Sequence, residues 1–443
     1  MVSRKLRLFS MAGLAAGVLM LTVGALSAVA QEPSSGSAAP SHTIRSLDEA
    51  VKFALDHQPN VLAARQSLNA AVVARESANS PLALLAGPIA HVRRKQADVG
   101  VAIAQAALEE TELQTVHAVT RCYLTVLYAQ DQLKVASDFS DRMKRLRDST
   151  ENSLKAGSKF VKEADLDRID TYALVAQARQ TEAEHGIARA KASLREAIGA
   201  GCDVDFDFSS DNLDRYYEAA VNHLAKHAAE ICSAKCAEAG LCHRPEARVA
   251  ALFVHLTQLE IEAQGLSVHP QVKTFAAYAD IHAAVVPATR INGTYQPGGL
   301  AQEMPVFLAG HRSSRMAQAA QLNNRAAAVR DKVAGLITLE ADDACHRLKQ
   351  EEGQVKLLRQ AVEKAEKNVE NGRAAYTNQQ GGIDDWLEAE GVAAQVRGQL
   401  NEALFRYAAA LASLQKATAG KMWSCLKKAD EEGEKLAAPQ EAK

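Results

Sequence analysis

The sequence predicts a mainly α protein, built from long antiparallel coiled-coil helices in two internal repeats, with a small β portion. Three observations carry this prediction. Proline is absent between Pro88 and Pro245, and again between Pro305 and Pro439. A proline in a helix interior costs roughly 3 kcal/mol, so long proline-free tracts are where long helices can form. Aromatic residues make up only 5% of the chain, too few for large compact cores. Ala, Leu, Glu, Gln, Arg and Lys dominate instead, the composition of long helices packed through small side chains. Finally, the two proline-free tracts resemble each other, which points to an internal duplication.

The chain opens on Arg4, Lys5 and Arg7, followed by an apolar stretch from Leu8 to Val29. Ala28-Val29-Ala30 supplies the small residues a signal peptidase needs before Gln31. Residues 1–30 are expected to be a cleavable export signal, and residues 31–45 a flexible segment. No Cys stands at the cleavage position, so a lipid anchor is not supported. Removing the signal takes away three positive charges and moves the formal charge from −2 to −5. Nothing in the remainder is a basic nucleic-acid footprint. After residue 30 no run of about 18 apolar residues appears, so no helical membrane span is expected. The mature chain is either soluble or held in a membrane by strands.

Repeat one is expected over residues 46–200 and repeat two over 244–420. Each opens with a shorter helix ending near a proline, Pro59 to Pro81 and Pro245 to Pro270. An Arg-rich restart follows, HVRRKQADVGVAIAQAA from His91 and HRSSRMAQAAQ from His311. A helical stretch of more than about 60 residues, roughly 90 Å long, then reaches Gly157 in one repeat and Gly381-Gly382 in the other. Return helices close at SLREAIG and SLQKATAG. In repeat one, Tyr123, Val126, Leu127, Gln130, Leu133 and Lys134 fall on heptad-like spacing. Over Ile187–Ile198 the apolar residues are mostly Ala, with Leu194. Small apolar knobs suit close helix packing and coiled-coil seams. An ordinary antiparallel coiled coil has the same periodicity. Residues 201–243 form a Cys-containing linker, and 421–443, rich in Lys, Glu and Ala, a solvated tail.

These residues resemble the TolC-like outer-membrane efflux protein family over about 46–420. Ser46-Leu47-Asp48-Glu49-Ala50, then Ala54-Leu55 and Gln58-Pro59-Asn60, are similar to the family's opening helix. Arg244-Pro245-Glu246 resembles the opening of its second repeat, and Met304-Pro305-Val306-Phe307-Leu308 before Gly310 the end of its last barrel strand. Lys155-Ala156-Gly157-Ser158, with acids from Glu163 to Asp167, resembles its first tip turn. Gly382-Ile383-Asp384-Asp385-Trp386-Leu387-Glu388-Ala389-Glu390 resembles the second. The resemblance implies an α-barrel protomer of a homotrimer, with a tunnel crossing the periplasm and a β-barrel in the outer-membrane lipid. It further implies a periplasmic adaptor protein and an inner-membrane transporter as partners. The function expected is the passive exit duct of a tripartite efflux or type I secretion system.

The chain departs from that pattern in one place. Pro81 and Arg93 are 12 positions apart, whereas Pro270 and Arg312 are 42 apart. A membrane strand needs about 9–11 residues. Repeat two can hold a β-hairpin, about 271–308. From Phe275 to Val285 the odd positions are apolar, and Tyr278, Asp280 and His282 lie between them, the alternation of a barrel strand. The return strand, about Thr294–Leu308, is interrupted by Pro297 and Pro305. Repeat one has no room for a membrane hairpin. Either the β-barrel is reduced, or the chain is a periplasmic coiled-coil scaffold or adaptor that has lost it.

At the tip turns, Asp165, Asp167 and Asp170 follow the first reversal, and Asp384, Asp385 and Glu388 the second. Two readings fit these acids. Carboxylates in a helix's first turns favour its positive dipole end. In a trimer they would also form rings at a constriction, attract cations and hold a gate closed. Gly381-Gly382 is expected to supply the tight reversal. The turn residues Ala156, Gly157, Ser158, Gly381 and Gly382 would face the adaptor.

Seven cysteines are many for an exported chain. Cys232, Cys236 and Cys242 cluster in the linker, with Cys202 upstream and His243 adjacent. In an oxidising compartment a disulfide is the first reading. A zinc site is the second, without the paired CxxC spacing such sites use. Cys122 and Cys345 fall in the long helices and read as small buried hydrophobes. No Walker A, HExxH, G-x-S-x-G or dinucleotide pattern is present. No enzyme activity, cofactor or metal is therefore expected.

Overall fold

The computed structural model describes residues 43–81, 87–157, 160–201, 204–225, 233–267, 273–275 and 306–420. The expected export signal, the tail beyond Gly420 and most of the expected hairpin lie outside these residues.

The first half contains α1 (Leu47–His57), α2 (Pro59–Asn79), α3 (Ala90–Lys155) and α4 (Glu163–Ile198). The second contains α7 (Pro245–Leu266), α8 (Arg312–Thr377) and α9 (Ile383–Ala417). Between them lie α5 (Leu213–Ala225) and α6 (Ser233–His243). The long helices α3 and α8 are each 66 residues, about 100 Å of rod. Their return helices are 36 and 35 residues, and the preceding α2 and α7 are 21 and 22. The main packing pairs are α3 with α4 and α8 with α9, and α3 also packs on α7 and α9.

The local sequence explains the ends. Ser46 caps α1 by accepting the Glu49 amide at 3.3 Å, and the Glu49 carboxylate accepts the Arg45 amide at 2.9 Å. Pro59 and Pro245 sit in the first turns of α2 and α7, where a missing N–H costs nothing. Gln58, itself buried, donates to the carbonyls of Glu196 and Ala197, both at 3.1 Å. It thereby satisfies two of the orphan acceptors at the end of α4. The next residue, Gly199, is left-handed at φ +70°, and a Cβ there would stand 2.9 Å from Gln58 Cα. Gly199→Ala is expected to cost about 1–2 kcal/mol from the backbone alone, and more from the clash. A lowered thermal midpoint for this variant checks the contact.

The largest core joins both halves with the linker. Leu124 and Leu127 of α3, Leu194 and Ile198 of α4, and Leu404, Tyr407 and Leu414 of α9 meet Phe206, Phe208, Leu213 and Tyr217. Tyr123 packs edge-on to Phe208 at 4.7 Å, and Tyr217 edge-on to Tyr407 at 4.7 Å. The linker is thus a folded layer against the helices. Thr43–Ile44, expected to be part of a flexible segment, forms β1 and pairs in parallel with β2 (Asp205–Phe206). Ile44 is fully buried, which repays the ordering of that backbone.

At the opposite end of repeat two, β3 (Lys273–Phe275) pairs antiparallel with β4 (Val306–Leu308), in register Lys273↔Leu308 and Phe275↔Val306. These strands lie at the two ends of the segment expected as a hairpin; residues 276–305 are outside the described set. In repeat one, α2 ends at Asn79 and α3 begins at Ala90, so only residues 80–89 connect them. No described helix is long and apolar enough to cross a membrane.

Candidate functional site

The two reversals that end α3 and α8 lie beside one another. Phe139, Met143 and Leu146 of α3, Ile169, Ala173 and Ala176 of α4, and Ile383 and Leu387 of α9 share one small core. Tyr376 and Trp386 pack against it, with ring centroids 5.7 Å apart, and Phe160 lies 5.6 Å from Tyr376. The sequence separates these residues by more than 200 positions, but the fold makes them a single tip.

The first reversal runs as expected through Gly157, left-handed at φ +76°. Ser158 lies outside the described residues. The second reversal differs from expectation. The left-handed residue is Gln379, at φ +57°, while Gly381 and Gly382 are not left-handed. Gly382 is extended and serves as the N-cap of α9. Gly381 is small for another reason: a Cβ there would come within 3.2 Å of Ala375 Cβ. The amides of Gln380 and Gly381 both reach back to the Ala375 carbonyl, at 2.8 and 3.2 Å, closing the α8 end.

The six tip acids fall into three groups. Asp165 is a local cap, its carboxylate accepting the Lys162 amide at 2.9 Å. Asp170 pairs with Arg147 at 2.6 Å, and Arg147 also reaches Glu151 at 3.1 Å. Asp384 pairs with Arg168 at 2.5 Å, a contact from α9 to α4 between the two halves. Asp167, Asp385 and Glu388 are exposed. A second cross-half pair, deeper in the tip, joins Arg142 of α3 to Glu390 of α9 at 3.2 Å; the Glu390 side chain is 8% exposed. The pair lines a cleft of ≈ 420 Å³ together with Arg145, Glu366, Arg373, Trp386 and Arg397 among others. Sequence reasoning missed the basic partners Arg147, Arg168 and Arg142. Their signal was helical spacing against acids in other elements, which only the fold can align.

A second polar cluster sits at the far end of the long helices. Glu260 of α7 accepts from Arg93 Nη1 at 2.6 Å and from Gln96 at 2.9 Å. Gln264 donates to Glu260 at 2.7 Å and accepts from Arg315 Nε at 2.9 Å. Arg315, 1% exposed, also donates to the Gly310 and Ser267 carbonyls at 2.7 and 3.1 Å. Burial alone would push the Glu260 carboxyl up, but the bonds from Arg93, Gln96 and Gln264 hold it below its ordinary value. The Arg-rich restarts of the sequence are therefore anchors, converging on one carboxylate.

Two of the linker cysteines lie among the described residues. Cys236 is buried and Cys242 exposed, and both are free thiols. They lie six positions apart on α6, about 9 Å along the axis, beyond the reach of a disulfide. Cys232 and Cys202 are outside the described residues. Cys345 is buried as expected, whereas Cys122 is half-buried.

No protein-family model and no curated protein matches the chain. Solved structures do. The outer-membrane channel OprN is similar with a TM-score of 0.63 at 14% identity, covering 85% of this chain and 90% of OprN. The outer-membrane protein VceC from Vibrio cholerae matches at 0.61 and 15%, over 84% of this chain and 95% of VceC. The CmeC outer-membrane channel of Campylobacter jejuni matches at 0.62 and 12%, over 86% and 88%. The chain thus shares the fold of these outer-membrane channels, the TolC-like family that its sequence resembles.

Proposed function

We propose that this chain is the subunit of an outer-membrane channel, the passive exit duct of a tripartite efflux or type I secretion system. The observation that carries the reading is the pairing of two 66-residue helices with return helices of nearly equal length. Such a near-repeat, produced by duplication, supplies two similar staves per protomer, and three protomers close them into one tunnel. Large apolar side chains left exposed on the helices support self-association: Val73, Leu174, Val175, Leu357 and Val392 are 60, 65, 46, 68 and 45% exposed. Residues 1–30 direct export, and the β strands continuing from β3 and β4 enter the outer membrane as a reduced barrel. The tip faces the periplasm, where Ala156, Gly157, Ser158, Gly381 and Gly382 meet the adaptor, which connects the duct to an inner-membrane transporter.

In this reading Asp384 and Arg168 latch the tip, and Asp167, Asp385 and Glu388 line its entrance with negative charge. Membrane fractionation and planar-bilayer recording test the whole. The expected result is a detergent-requiring trimer in the outer membrane that forms discrete, cation-preferring pores. A protein released by osmotic shock that forms no pore would instead be a periplasmic scaffold without a membrane barrel.

A further inference from the structure

We propose that Cys236 and Cys345 form a disulfide that staples the linker helix α6 to the long helix α8. The geometry differs from anything the linker cysteines could do among themselves. Cys236 lies near the start of α6 and Cys345 in the middle of α8, 109 positions later. Both are 2% exposed and belong to the same core, and α6 packs directly along α8. The two thiols lie close enough for each to shift the titration of the other. Two neighbouring thiols on packed helices can be bridged where their Cβ atoms stand about 3.5–4.5 Å apart. The other two described cysteines have no comparable neighbour: Cys122 is half-buried on α3 and Cys242 exposed at the end of α6.

The two thiols are also electrostatically coupled. Their interaction holds Cys236 below the ordinary thiol value, while Cys345 is pushed up by it and by burial. Exchange can begin at either sulfur; taking Cys236 first, its thiolate attacks. It displaces one thiol from a low-molecular-weight disulfide such as oxidised glutathione and becomes a mixed disulfide. Cys345 then loses its proton, attacks the Cys236 sulfur and expels the second glutathione as thiol. Two protein thiols are oxidised to one disulfide, and one glutathione disulfide is reduced to two thiols. In the cell this rests on the export reading, because the chain must meet an oxidising compartment.

The bridge would close a loop containing α7 and the first half of α8, together with residues 268–305. It would tie that loop to the layer that seals the middle of the helices. A covalent tie across so long a loop restricts the unfolded chain most.

The test uses the purified full-length protein in detergent, first reduced mildly, then exposed to oxidised glutathione, alkylated and mapped by peptide mass. The expected result is one linked peptide pair containing Cys236 and Cys345. Alkylation of Cys236 is lost in the wild type and returns in Cys345→Ala, where Cys236 is found alkylated or carrying a single glutathione. Cys236 linked to Cys232 or to any other cysteine, or both thiols remaining alkylatable in the folded protein, would overturn the proposal. The same map on protein alkylated directly in cells separates this from export. A reduced protein still carrying residues 1–30 would remove the export reading and leave the pair's chemistry standing. A processed, exported protein with both thiols free would overturn the staple.

Discussion

Replacing Glu260 with Ala is expected to lower the stability of the folded chain by about 3–5 kcal/mol, the cost of leaving a buried charge network without its acceptor. The Glu260 side chain is 3% exposed and accepts from Arg93, Gln96 and Gln264, so its loss strands three donors at once. Glu260→Gln keeps the shape and part of the bonding, and is expected to fall between wild type and Ala. Thermal unfolding of the detergent-solubilised protein, followed by the helical circular dichroism signal, gives the measurement. A change within about 0.5 kcal/mol, the scale of a surface substitution, would show that the network contributes nothing net. The pH dependence has a defined sign. The folded Glu260 carboxyl is held below its ordinary value of 4.5. Its contribution is therefore fully present above about pH 4.5 and is lost as pH falls through the lower folded value. The wild type is expected to lose stability in that acid window more steeply than Glu260→Gln.

The same network explains an oddity of the sequence. Neither α3 nor α8 has an acid in its first turn, and each places arginines near its start instead. A cation at the positive end of a helix is unfavourable by roughly 0.3–1 kcal/mol. Two long helices that begin this way need a compensating acceptor. Arg93 finds it directly in Glu260, and Arg315 reaches the same carboxylate through Gln264. The site lies where α7 hands the chain to β3 and where β4 hands it back to α8. It fixes the root of the strand pair to both long helices.

How much of this the sequence made legible follows from the range of the interactions. Helix extents were legible because proline acts locally: the gap after Pro88 became α3 and α4, and the gap after Pro305 became α8 and α9. Local capping was legible too, as at Ser46. The second reversal was misassigned because a Gly-Gly pair signals positive φ, whereas the close approach of Ala375 fixes Gly381 and leaves the left-handed turn to Gln379. The linker was read only for its cysteines. Its Phe208 and Tyr217 find aromatic partners 85 and 190 positions away, and no periodicity reports such pairs. That acids follow each reversal was legible, but their basic partners were not. Arg168 and Asp384 are separated by 216 positions and meet only because α4 and α9 return to the same end.

That meeting gives the sharpest functional expectation. Removing the Arg168–Asp384 pair is expected to leave the fold intact and to raise conductance. The side chains are 52 and 61% exposed, and exposed pairs contribute about 0–1 kcal/mol. In the trimer proposed above, a latch between the two halves of the tip would need no more than this, because three symmetric copies would act together and thermal motion must be able to release them. Arg168→Asp places like charges face to face and should open the entrance furthest. Adding Asp384→Arg to it restores the pair in reverse and should return conductance toward wild type. The double variant Asp384→Asn with Asp385→Asn removes negative charge with little change of shape, and should reduce cation preference as well as loosen the latch. Single-channel recording in planar bilayers at low salt reads both quantities, since screening shortens the reach of exposed charges to about 10 Å at 0.1 M. If the variants assemble and conduct as the wild type does, in size and in selectivity, the pair is an ordinary helix-end contact. Recovery in the charge-reversed double variant would instead assign the effect to the pair, because local helix-end effects do not survive exchange of the two charges.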